Sequence, residues 1–130
     1  MQPLTLALIQ TVTHWHAPDA NHRMFEPLIR EAAGRADLIL LPEMFSTGFT
    51  MASSAVAEEL SGPTVNWLKT TSQETGCYLC GSVVIKDGGR YFNRFMWVSP
   101  NGEIGYYDKR HLFRMAGEHE HYSIGDSKRI

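Results

Sequence analysis

A strand–helix–strand pattern in the first third of the chain constrains its fold more than any other feature. Leu4-Thr5-Leu6-Ala7-Leu8-Ile9-Gln10 is a short apolar run that reads as a buried strand. Leu38-Ile39-Leu40-Leu41, introduced by Asp37 and closed by Pro42, reads as a second. Between them, Met24, Leu28, Ile29, Ala32 and Ala33 recur at helical spacing within Ala20 to Ala33. Asp19 suits the N-cap of that helix and Gly34 its end. Pro27 falls inside it and predicts a kink or a late start. A helix joining two buried strands is a crossover, and crossovers favour parallel strands.

The rest of the chain extends this pattern. Glu43 to Met51 reads as a loop, followed by a weakly signalled short helix near Ser54 to Leu60. Pro63 suits the first turn of a helix running to about Thr75, with Val65, Leu68 and Trp67 on its inner face and Gly76 as its stop. Extended segments follow over Cys77 to Ile85, Tyr91 to Val98 and Glu103 to Tyr107. Asp87-Gly88-Gly89 makes a hairpin turn between the first two, and Pro100-Asn101-Gly102 a turn between the last two. The stretch from Asp108 to Ile130 is polar, histidine-rich and loop-like. No repeat or linker divides the chain, so residues 1–130 read as a single α/β unit with a mixed sheet.

Composition narrows the function. With 43% hydrophobic and 20% charged residues, the chain resembles an ordinary globular protein rather than a disordered one. A net charge of -2 gives no electrostatic reason to expect nucleic acid or an anionic membrane as partner. No apolar run approaches the roughly 20 residues of a membrane span, and the N-terminus lacks a signal-peptide pattern. Two cysteines, Cys77 and Cys80, make no disulfide framework, which agrees with a reducing, cytoplasmic location.

Three clusters carry candidate chemistry. Glu43 follows an apolar strand at its carboxyl end, where open α/β sheets place ligands. Among Leu41, Pro42, Met44 and Phe45, its carboxylate is expected to be poorly solvated, and desolvation makes a stronger general base. Taken alone, the pattern also fits a loop glutamate facing water or capping a helix, as most loop carboxylates do. Lys109 follows a strand in Tyr107-Asp108-Lys109-Arg110-His111-Leu112-Phe113. A half-buried lysine can stabilise an oxyanion, although most lysines are simply solvated. Gly117-Glu118-His119-Glu120-His121 suggests a metal site, but its spacing matches no zinc signature. The alternative there is a polar loop with one residue turned inward. Cys77-Tyr78-Leu79-Cys80 has redox spacing, yet it lies in an extended segment where the thiols face opposite ways and pack as core. The strand aromatics are not interleaved with basic residues, so they do not form a nucleic-acid stacking platform.

Together these segments resemble one family, the carbon–nitrogen hydrolases of the nitrilase superfamily. Leu6-Ala7-Leu8-Ile9-Gln10 is similar to the family's opening strand, Asp37 through Glu43 to Phe45 to its glutamate motif, and Tyr107 to Phe113 to its lysine motif. Lys109 through Met115-Ala116-Gly117-Glu118-His119-Glu120-His121-Tyr122 resembles the bacterial omega-amidase branch. The resemblance covers the whole chain in order. It implies about the first half of an α-β-β-α sandwich, usually dimerised, that hydrolyses an amide without metal or organic cofactor. A cysteine thiolate would attack the carbonyl, with Glu43 as general base, Lys109 stabilising the oxyanion and Glu118 orienting the site or sharing in proton transfer. Phe45 and Phe49 are candidate substrate-lining residues that also suit a core. The implied substrates are omega-amides of 2-oxo acids, such as 2-oxoglutaramate.

The family's nucleophilic cysteine lies beyond the lysine motif. Cys77 and Cys80 both precede Lys109 and match nothing there, so the nucleophile is expected outside this chain, beyond Ile130. The expectation is a fragment, a truncated product or one piece of a split enzyme, inactive alone, with sheet faces left exposed. The alternatives are a non-catalytic chain that self-associates or pairs with another, and a metal-binding module using His119 and His121.

Overall fold

The computed structural model describes residues 2–127. Its centre is one five-stranded mixed sheet, in the order β1 (Leu6–Leu8), β2 (Leu38–Leu40), β3 (Tyr78–Asp87), β4 (Arg90–Val98) and β5 (Ile104–Asp108). The first three strands are parallel and the last three antiparallel. Helix α1 (Pro18–Ala33) crosses from β1 to β2, and a one-turn α2 (Ser53–Val56) and a longer α3 (Pro63–Thr75) cross from β2 to β3. Leu6 is opposite Leu38, and Leu38 opposite Tyr78, so the crossovers leave the parallel strands in flush register.

Period-2 alternation gives the sheet two unlike faces. One carries Ile39, Leu79, Val83, Ile85, Met96 and Val98, which pack with Phe25 and Ile29 of α1 and Val65 and Leu68 of α3. The buried stripe of α1 is Asn21, His22, Phe25 and Ile29. Phe25 thus anchors a face that the Met24/Leu28 spacing places slightly off, and Leu28 is left exposed. Helix α1 starts at Pro18 with Asp19 already in its first turn, and it runs through Pro27, which lies on the exposed side. There the missing hydrogen bond faces solvent, so a break is not forced. Helix α3 ends at Gly76, whose left-handed backbone (φ 72°) closes the last turn. Its N-terminus is capped from outside: the Glu58 carboxylate accepts from the Thr64 N–H at 3.0 Å.

The opposite face is apolar and open. Leu6 and Leu8 of β1 are 55% and 72% exposed, and Tyr78 of β3 and Phe95 of β4 add exposed ring surface on the same face. The reading of Leu4 to Gln10 as a buried strand is therefore corrected. The strand exists, but it is an edge strand covered only on the helix side, where Ala7 packs. The region after β5 also differs from a plain loop. A 3-10 turn (Arg114–Ala116) and a one-turn helix α4 (Glu118–His121) bring it back over the sheet. Residues 128–130 lie outside the described ones.

Three glycines shape the sheet. Gly88 and Gly89 adopt φ of 55° and 75°, the primed turn that closes the β3–β4 hairpin. Gly81 leaves room for Phe45, since a Cβ there would lie 2.8 Å from the Phe45 ring. No helix among the described residues is long and apolar enough to cross a membrane.

Candidate active site

Glu43, Asn93, Lys109 and Glu118 come from four separate stretches of chain and meet at one end of the open sheet face. Glu43 follows β2, and the next residue, Met44, takes a left-handed conformation with φ of 49°. That conformation costs a non-glycine residue about 1–2 kcal/mol. It is held by the Met44 N–H donating to Ser82 Oγ at 2.8 Å, and by Thr47 and Gly48 N–H groups donating to the Met44 carbonyl. The chain turns sharply here, so Glu43 borders the open cleft while Phe45, two residues on, is fully buried on the helix side. Lys109 leaves the end of β5 and its N–H donates to the Asn93 carbonyl. Glu118 opens α4 directly after Gly117, whose φ is 75°.

Lys109 Nζ donates to Glu43 Oε1 and to Glu118 Oε2, each at 2.9 Å. Asn93 Nδ2 donates to the same Glu43 Oε1 at 2.7 Å and to Glu118 Oε1 at 3.1 Å. The Phe113 N–H adds a third donor to Glu118, at 2.6 Å. Glu118 is wholly buried and has donors on both oxygens. Burial alone would raise its pKa, but the Phe113 amide, Lys109 and Asn93 outweigh that and hold it below the usual carboxylate value. Partial burial pulls Lys109 down, yet its hydrogen bonds to Glu43 and Glu118 and their charges hold its pKa above the ordinary lysine value. The lysine is therefore a fixed cation at neutral pH, and Glu118 a fixed anion.

Glu43 differs from both. Its two donors converge on Oε1, and among the described residues Oε2 has no hydrogen-bond partner. Its side chain is 47% exposed. The expectation of a carboxylate poorly solvated by its sequence neighbours is corrected, because Met44 and Phe45 turn away into two different cores. A cleft of about 380 Å³ adjoins it, lined by Leu40, Leu41, Ser82, Asn93, Phe95, Tyr107 and Lys109.

The structure separates the two candidate phenylalanines. Phe45 is a core residue, edge-on to Phe25, and takes no part in the cleft. Phe49 lies 5.5 Å below Lys109 Nζ and 6.4 Å from Phe113, at the rim of the site. Of the acidic and histidine cluster, Glu118 is the inward residue, while His119 and His121 stay outside the net. Among the described residues, no group of three or more His, Cys, Asp or Glu is placed to hold a metal ion. Cys77 and Cys80 are buried, with Cys77 Sγ 3.0 Å from the Ala36 carbonyl. Burial pushes the Cys80 thiol up to about 11.

Asn93 and Ser82 are the residues that sequence reading missed. A signal for Asn93 was present. It is the one neutral polar side chain in Tyr91-Phe92-Asn93-Arg94-Phe95, where burial demands hydrogen-bond partners.

An α/β sheet that gathers one free carboxylate oxygen, a fixed cation and a saturated second carboxylate at the carboxyl end of β2 is suited to base-assisted attack on a carbonyl. The family comparison agrees with that chemistry: the carbon–nitrogen hydrolase family model matches residues 5–128, and the chain belongs to that family. It is 40% identical to the omega-amidase YafV of Escherichia coli K12, covering 100% of this chain and 50% of that one. It is 29% identical to the 2-oxoglutaramate amidase of Bacillus subtilis, covering 93% and 48%. The fold matches the crystal structure of a CN-hydrolase superfamily protein from Xanthomonas campestris with an arsenic adduct in its active site. The TM-score is 0.93 at 40% identity, over 98% of this chain and 48% of that one. The chain thus spans about half the length of the relatives it matches.

Proposed function

We propose that this chain supplies the base, the oxyanion cation and the orienting carboxylate of an amidase acting on omega-amides of 2-oxo dicarboxylic acids, such as 2-oxoglutaramate. The observation that carries the reading is the shared net of Glu43, Lys109 and Glu118, with Glu43 Oε2 left free beside the cleft. The substrate class rests on the names of the omega-amidase and 2-oxoglutaramate amidase relatives.

The nucleophile in this reading is a cysteine on a segment that packs against the open sheet face. Glu43 Oε2 takes the thiol proton as sulfur attacks the amide carbonyl. The oxyanion forms next to Lys109 Nζ, which is already positive and needs no reorganisation. Collapse breaks the C–N bond, and Glu43 returns its proton to the departing ammonia. Glu43 then deprotonates water, which attacks the thioester, and the acid and the thiol are released with the proton passed back to sulfur. Glu118 stays ionised throughout and holds Lys109 in place rather than shuttling a proton.

The test is complementation. The chain, co-expressed with the C-terminal half of an omega-amidase relative, releases ammonia from 2-oxoglutaramate, and Lys109→Ala slows the release by about 100- to 1,000-fold. A folded two-chain complex without turnover sinks the reading. Turnover by the 130-residue chain alone would refute the need for an external cysteine. A second reading is favoured by the exposed Leu6, Leu8 and Phe95: a non-catalytic chain that self-associates through this face. Sedimentation showing a stable homo-oligomer that excludes the C-terminal half would support it.

A further inference from the structure

The open face of β4 is otherwise aromatic, with Tyr91, Phe95 and Trp97 alternating around Asn93. An apolar residue would suit that position for packing. Asn93 is 2% exposed, and its Oδ1 is buried with no hydrogen-bond partner. An orphaned acceptor costs free energy, which the donor side of the amide must offset. The Nδ2 group accounts for it. It donates to Glu43 at 2.7 Å and to Glu118 at 3.1 Å, so the amide is oriented by the two carboxylates at the expense of its own carbonyl. Among the described residues, Lys109 and Asn93 are the two side chains that touch both carboxylates.

We propose that Asn93 is a positioning residue for the amide hydrolysis described above: its neutral amide ties Glu43 to Glu118 and leaves one Glu43 oxygen turned to the reacting atoms. The inference rests on the amidase reading. Neutrality matters because Glu43, Glu118 and Lys109 already sum to one negative charge. A third carboxylate at this position would repel both glutamates, and a second cation would cancel the net negative charge of the group. An amide donates twice without changing that balance.

Two measurements test this. In the complemented enzyme, Asn93→Leu keeps the branched outline of the side chain and loses the donors. The expected result is a kcat lower by about tenfold or more with KM within about twofold, the signature of a lost transition-state arrangement. Asn93→Asp, of the same shape but charged, loses more than Leu, and Asn93→Gln recovers part of the loss. A Leu variant with kcat within about threefold of the parent, or with losses that only track stability, overturns the proposal. Where Leu fails to fold, the Asp and Gln variants carry the same comparison. The tie itself is read without turnover. The Asn93 side-chain amide resonances of the unaltered chain should shift both in Glu43→Gln and in Glu118→Gln. Resonances indifferent to either change overturn the tie, whatever the enzyme does. A parent complex with an intact tie and no ammonia release overturns the amidase reading, and the catalytic role with it.

Discussion

Glu118→Gln is the most informative single change, because it keeps the shape of a wholly buried side chain and removes only its charge. Three donors converge on the carboxylate: Lys109 Nζ, the Phe113 N–H and Asn93 Nδ2. A glutamine has one acceptor oxygen to offer them. If that oxygen stays with Asn93, the new NH2 group faces both Lys109 and the Phe113 amide, donor against donor. Hydrogen bonds to charged groups contribute about 1.5–3 kcal/mol each, and Lys109, being 28% exposed, belongs at or below the low end. The net loss is about 3 kcal/mol, at the low end of the roughly 3–5 kcal/mol for breaking a fully buried pair.

The assay is urea unfolding of the complemented enzyme, or of the chain alone where it unfolds cooperatively. With a slope of about 2 kcal/mol per molar, the midpoint should fall by about 1.5 M. The pH dependence gives the signature. The folded-state pKa of Glu118 is lowered, so its contribution is fully present above the unfolded carboxylate value of about 4.3 and is lost as pH falls through the folded value. Lys109 is raised, so its contribution is complete below the unfolded lysine value of about 10.4 and is lost as pH rises through the folded one. The parent–variant gap should therefore be a plateau between those limits that closes on both sides. A gap below about 1 kcal/mol at pH 7, or one that persists unchanged into acid, would refute the assignment of Glu118 as a buried, permanently ionised anchor.

Other outcomes follow from the same geometry. Lys109→Ala in the complemented enzyme should lower kcat by about 100- to 1,000-fold, the usual cost of losing one oxyanion donor, measured as ammonia release. Cys80→Ser should leave turnover within about twofold, and Cys80 should resist iodoacetamide at pH 7.5 while folded, since its thiol is buried and shifted up to about 11. Rapid single-site alkylation of Cys80 in the native chain would contradict this. Leu8→Lys sits on the open face at 72% exposure, so the chain's own stability should change by less than about 0.5 kcal/mol, while assembly with the C-terminal half, followed by co-purification, is lost.

Local pattern was enough for the strands and the two long helices, though not for the short turns of helix after β5. The two apolar runs, the helix between them, the Pro63 start and Gly76 stop of α3, and the double-glycine hairpin are all written in residues whose preferences act over a few positions. The resemblance to the hydrolase family likewise reads from contiguous motifs, and its family assignment is matched over residues 5–128. What the local pattern could not determine is which side of each element finds cover. Leu6 and Leu8 are as apolar as Ile39, yet they are exposed, because β1 lies at the sheet edge and only the helix side of the sheet is packed. Glu43 and Phe45 are neighbours in an apolar segment, but the left-handed turn at Met44 sends one to the cleft and the other to the core. Asn93 joins Glu43 and Glu118 across 50 and 25 residues, a meeting that depends on strand register and has no local signature. The residue types capable of the chemistry are set by sequence. The distances that make them act on one another are a tertiary property, because hydrogen bonds and charges depend on position in space and not on spacing along the chain.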